Sequence, residues 1–90
     1  GSPVFKIQIL TSSRPIAAND KRLKGLKGVE HFQEGGLYKY TYGSSTDYNK
    51  VVRTKREITP KFKDAFIIAF KNGKKINVQT AIEEFKKKKK

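Results

Sequence analysis

Gly35-Gly36-Leu37-Tyr38-Lys39-Tyr40-Thr41-Tyr42-Gly43 is the stretch on which the fold turns. Paired glycines tolerate the positive φ of a tight hairpin turn. The residues after them alternate, with Tyr38, Tyr40 and Tyr42 on one side of a strand and Lys39 and Thr41 on the other. Residues 29–34, ahead of the turn, supply the partner strand. The chain therefore carries a hairpin near its middle, and the segments on either side decide what covers it.

Upstream, residues 4–11 read as a strand with Phe5, Ile7 and Ile9 on one face and Lys6 and Gln8 on the other. Ser12-Ser13-Arg14-Pro15 breaks it. Residues 17–26 are expected to form a short helix, capped by Asn19 or Asp20, with Leu23 and Leu26 buried. Gly25 and Gly28 keep it short. Downstream, Gly43-Ser44-Ser45-Thr46 stops the third strand, and Ser45 or Thr46 caps a helix. That helix carries Tyr48, Val51, Val52 and Ile58 as a stripe interrupted by Lys55, and Pro60 ends it. Residues 65–70 form the most apolar run and read as a buried strand. Asn72-Gly73 signals a tight turn into a short return strand at 74–76. Asn77 then caps a helix with Val78, Ala81, Ile82 and Phe85 on one side. Lys86 to Lys90 form a solvated tail that complements the negative helix end.

The order βαββαβ implies an α+β fold: a ribonucleoprotein-like (ferredoxin-like) four-stranded antiparallel sheet with helices on one face, extended by a C-terminal hairpin and helix. The opposite face is expected to be open. Gly1-Ser2 reads as an expression scar, so the chain reads as an excised piece of a larger protein. Residues 3–85 form one domain, with a core at 4–70, an extension at 71–85 and the lysine tail at 86–90.

Twenty-one Lys and Arg against eight Asp and Glu give a net charge of +13 over 90 residues. Such a balance implies an acidic partner: nucleic acid, anionic lipid or an anionic polymer such as cell wall. Most of the excess is lysine, a hydrated point charge, rather than the bidentate arginine fork. The absence of cysteine excludes disulfides and thiolate metal sites. No apolar run approaches bilayer-spanning length. The single histidine, His31, and the scattered acids form no catalytic or metal-binding set. A triad of Ser12 or Ser13 with His31 has nothing to bring it together. The chain is read as non-catalytic, without cofactor or metal.

Three segments resemble the SPOR domain, a family named for its sporulation-related repeat. Val4-Phe5-Lys6-Ile7-Gln8-Ile9-Leu10-Thr11-Ser12 is similar to its first strand, with a glutamine followed three residues later by a hydroxyl. Gly36-Leu37-Tyr38-Lys39-Tyr40-Thr41-Tyr42-Gly43 is similar to its third strand, and Lys63-Asp64-Ala65-Phe66-Ile67-Ile68-Ala69-Phe70 to its last. Together they span residues 4–70. The wording resembles segments attached to bacterial N-acetylmuramoyl-L-alanine amidases. The resemblance implies non-catalytic binding of peptidoglycan glycan strands denuded of peptides, in the periplasm or cell envelope of a Gram-negative bacterium. There a monomeric domain would target a wall amidase or division protein to the septum. Gln8 matches the family's glutamine, Thr11 stands for its serine with Ser12 and Ser13 adjacent, and Lys39 matches the basic residue. Leu37 falls where some members carry tryptophan, and Phe32 is a nearby aromatic that could replace it. Ser44 stands where proline often follows the glycine.

A denuded strand presents acetamido groups, hydroxyls and free lactyl carboxylates. Gln8, Thr11, Lys6, Lys39, Thr41 and Leu37 supply amide, hydroxyl, cation and apolar surface for these. Plainer readings stand beside this one. Lys6 and Lys39 are ordinary solvated charges on a sheet, Gln8 a polar outward residue or satisfied core amide, and Thr11-Ser12-Ser13 a turn bonding its own backbone. RNA binding is the sharpest alternative, through base stacking on the third-strand tyrosines. Against it, the strand lacks the arrangement basic-Gly-aromatic-Gly/Ala-aromatic, and alternation puts the tyrosines opposite Lys39, under the helices. A third reading is a protein-interaction module that uses a sheet edge.

Overall fold

The computed structural model describes residues 1–88. Five strands and two helices form an α+β domain. They are β1 (Val4–Ser12), β2 (Glu30–Glu34), β3 (Leu37–Ser45), α1 (Tyr48–Ile58), β4 (Phe66–Lys71), β5 (Lys74–Ile76) and α2 (Val78–Lys88). The sheet order is β2-β3-β1-β4-β5, antiparallel at every pairing. The return strand β5 joins the same sheet, so five strands replace the four expected.

Both tight turns form where the glycines called for them. Gly35 and Gly36 link β2 to β3 with φ of 61° and 76°. Asn72 and Gly73 link β4 to β5 with φ of 52° and 79°. Two central residues at positive φ give the turn whose twist matches that of the flanking strands.

The expected helix at 17–26 does not form. Asp20 does act as a cap, its carboxylate accepting from the Arg22 amide at 2.8 Å, but only a 3-10 turn, Lys21–Leu23, follows. Lys24 enters the left-handed region at φ 52°, and Gly25 and Gly28 follow at 82° and 74°. So few helical residues cannot recover the cost of nucleation. The segment is held instead by buried Leu23 and by the Tyr40 hydroxyl, which accepts from the Ile16 amide at 2.8 Å. Beside this segment there is a cavity of about 470 Å³, lined in part by Ile16, Leu26, Val29 and His31.

The cap of α1 also differs from expectation. β3 continues past Gly43 to Ser45, and Asp47 caps the helix, accepting from the amides of Asn49 and Lys50. The Ser45 hydroxyl instead accepts from the Asp47 amide at 3.0 Å. Thr59 closes the helix one residue before Pro60, whose ring cannot continue it. Asn77 caps α2 through the Thr80 amide, as its position implied. Lys86–Lys88 continue α2 as helix rather than tail, and Lys89 and Lys90 lie outside the described residues.

The helices cover one face of the sheet. Phe5, Ile7, Val51, Ala69 and Ala81 are sealed beneath them, with Ile58, Phe62 and Ala65 at the margin. Phe5 meets Tyr48 and Phe85 edge-on at 5.1 and 6.2 Å. Tyr40 is buried and Tyr42 packs against this core, so both rings lie on the face opposite Lys39. No helix among the described residues is long and apolar enough to cross a membrane.

The other face is not bare. β2 and β4 are three strand spacings apart, about 14 Å in a flat sheet. Yet the Phe32 and Phe70 rings meet edge-on at 5.1 Å, and Lys75 of β5 reaches Glu34 of β2 at 3.1 Å. The sheet therefore curls into a trough whose rims approach each other. Two bulges accompany the curl. One inserts an extra residue into β3 beside Gly43 (φ 76°), and the other inserts one into β1 at Ile9. Bulges bend a strand and raise its local twist.

Candidate functional site

The trough gathers most of the residues that the sequence marks. Gln8 lies opposite Thr41 on β3 and Phe66 on β4. Thr11 lies opposite Lys39. Residues three apart on a regular strand point to opposite faces, because the side-chain period is two. The bulge at Ile9 corrects this. Gln8 pairs with Thr41 and Leu10 with Tyr40, so Ile9 and Leu10 together oppose one residue and Thr11 returns to the face of Gln8. The Gln8 amide then donates to the Thr11 hydroxyl at 3.4 Å. A glutamine and a hydroxyl at i, i+3 work as a pair only because the strand is bulged between them.

Gln8 is only 7% exposed and Thr41 1%. The Gln8 carbonyl oxygen Oε1 is buried with no hydrogen-bond partner. Whichever way the amide is turned, its one contact with Thr11 leaves the other end unmatched. An unmatched buried polar group costs about 1–3 kcal/mol, and native proteins carry few of them. Beside it opens a cavity of about 300 Å³ lined by Gln8, Thr11, Asp64 and Phe66 among others. Phe66 is 48% exposed, the most exposed of the large apolar side chains, and Leu37 follows at 37%.

The cations of the trough are engaged. Lys39 donates to Glu34 at 2.5 Å, Lys75 donates to the same carboxylate oxygen at 3.1 Å, and Lys6 reaches Glu30 at 3.3 Å. The Glu34 carboxyl is held below the usual glutamate range, chiefly by the Lys39 hydrogen bond and then by that of Lys75. Lys6 also sits over the Phe70 ring, 5.3 Å from its centre.

The flanking hydroxyls do not join the group. Ser12 lies opposite Tyr38, on the other face, and its hydroxyl accepts from the Arg14 amide as a turn residue does. Ser13 is exposed in the turn that follows. Phe32, which could have stood in for a missing tryptophan, is spent on Phe70 at the rim. Phe66 was not singled out by the sequence pattern. Its run is apolar on both faces, and only its pairing with Gln8 shows where its ring stands. His31 is exposed on the tyrosine face, 5.3 Å from the Tyr40 ring, and Ser12 is committed to its turn. Among the described residues no group of three or more His, Cys, Asp or Glu is gathered to hold a metal ion.

Comparison of the chain with protein-family models, curated proteins and solved structures finds no match.

Proposed function

We propose that the chain is a SPOR-type binding domain whose trough takes denuded peptidoglycan glycan strands, targeting a wall amidase or division protein to the septum in the cell envelope of a Gram-negative bacterium. In this reading β2-β3-β1-β4 is the ribonucleoprotein-like four-stranded sheet, β5 is an addition, and the first helix has shrunk to a turn. The observation that carries it is the orphaned amide of Gln8 beside Thr11 and an exposed aromatic ring. An acetamido N–H placed there would supply the donor that the Gln8 carbonyl lacks. The sp³–sp² torsion of the amide is soft, so it can turn outward to meet that donor. The Phe66 ring and Leu37 offer apolar surface to sugar faces, and Lys6 and Lys39 offer charge to lactyl carboxylates. Each exposed hydrogen bond or charge pair contributes only about 0.5–1.5 kcal/mol, so several sugars must be held at once.

Co-sedimentation with purified sacculi, before and after amidase stripping, tests the reading. Binding should rise on stripping, and a Gln8→Ala, Lys39→Ala double variant should lose it while remaining folded. Retained binding in that variant rejects this site. No sedimentation, together with a strongly salt-dependent shift of RNA, would instead favour a nucleic-acid ligand. Stacking of bases on the third-strand tyrosines has no support in the burial of Tyr40 and the packing of Tyr42 against the core.

A further inference from the structure

The trough is closed from one rim, and the closing groups all lie on one short strand. β2 is an edge strand, bonded only to β3. Its Glu30, Phe32 and Glu34 alternate toward the trough. Glu30 engages Lys6, and Glu34 engages both Lys39 and Lys75. Between them Phe32 meets the Phe70 ring and lies beneath Lys75, 5.8 Å from its ammonium. Lys6 and Lys39, the two lysines assigned above to a ligand's carboxylates, are therefore already matched to carboxylates of the protein.

We propose that β2 is a self-occluding strap, in which Glu30 and Glu34 hold the places of ligand carboxylates and Phe32 seals the rim, so that binding proceeds by exchange. This rests on the glycan reading of the trough and adds to it a competitor built into the fold. A ligand carboxylate that displaces a glutamate restores to each lysine the same kind of partner, so the exchange is close to neutral for the lysines. A strand whose lactyl groups still carry peptide has amides there. It must break the same pairs and has no carboxylate at the lactyl position to give in return. The strap thus imposes the same opening cost on every ligand that enters the trough, and only a ligand carboxylate gives the lysines an ionic partner back.

The test compares two charge-matched double variants. E30Q/E34Q frees the trough lysines with little change of shape. E57Q/E83Q removes the same two charges from exposed positions on α1 and α2. Binding is read on stripped sacculi, on unstripped sacculi and on polygalacturonate, a soluble carboxylated sugar polymer. The strap requires E30Q/E34Q to bind stripped sacculi and polygalacturonate five- to tenfold more tightly than wild type, with E57Q/E83Q changing them less than twofold. It also requires the preference for stripped over unstripped sacculi to stay within twofold of wild type in E30Q/E34Q, because the opening cost is common to both ligands. Equal gains in the two variants would mean that net charge alone acts, and the strap would be overturned. Unchanged or weaker binding by a folded E30Q/E34Q would overturn it too. If wild type ignores stripped sacculi, the glycan reading falls, and the polygalacturonate comparison still decides the strap.

Discussion

The two faces of the sheet both bury side chains at their centres and are filled in opposite ways. Under the helices, Phe5, Ile7, Val51 and Ala69 are sealed from water among apolar neighbours and ring edges. In the trough, Thr41, Ile68 and Gln8 are almost as inaccessible, yet an amide there goes unmatched and lysines are held by carboxylates. Burial on the first face is the source of stability. On the second it accompanies local cost, and places where a fold departs from its own best packing are where function is to be sought.

That contrast can be broken most forcefully on the helix side. Phe5→Ala removes a fully buried ring and its contacts with Tyr48 and Phe85, and should cost about 3–5 kcal/mol. Denaturant unfolding measures this, and a loss below 1 kcal/mol would mean that the face is not the dry core described. The trough should respond with the opposite sign. Gln8→Leu keeps the size and removes the orphan, and should raise stability by about 1 kcal/mol while abolishing sedimentation with stripped sacculi. Gain of stability with loss of binding is the signature of a residue retained for function. A destabilised Gln8→Leu would show that the amide is satisfied after all.

The smallest effect is that of pH. Glu34 is held down by Lys39 and Lys75, and Glu84 by Lys71 and Lys88. A carboxylate with a depressed folded pKa stabilises above its unfolded value, and that contribution is lost as pH falls through the folded one. The melting temperature should therefore hold steady from neutrality down to the ordinary glutamate range, roughly pH 4.3, and decline below it. Glu34→Gln should make the decline shallower by removing one titrating carboxylate, and only slightly so, because these partly exposed pairs contribute little. An acid limb identical in wild type and Glu34→Gln would remove Glu34 from this role.

Local chemistry made much of the architecture legible. Gly35-Gly36 and Asn72-Gly73 announced their turns, Asn77 its cap, and the alternation around Lys39 put Tyr40 and Tyr42 on the opposite face, Tyr42 against the helix-side core and Tyr40 under the segment that holds Ile16 and Leu23. What stayed hidden depends on relations between segments distant in the chain. The curl that brings Phe32 to Phe70 sums small twists and two bulges over several strands, and no single stretch encodes it. Phe66 and Ile67 are both apolar, so only strand register tells which one faces the trough. The helix expected at 17–26 failed for a local reason that was visible, the glycines at 25 and 28, whose effect outweighed the apolar spacing of Leu23 and Leu26.

The extra residue in β1 has one more consequence. The β1–β4 ladder ends at Gln8, and in the β1–β3 ladder Ile9 is the residue skipped between Gln8 and Leu10. Ile9 is slack in the cross-strand bookkeeping: excising it would leave each of those partnerships intact and Thr11 still beside Gln8. Relatives of this strand could therefore space their amide and hydroxyl by either two or three positions and present the same pair, so a search that fixes the interval would pass over those with the other spacing.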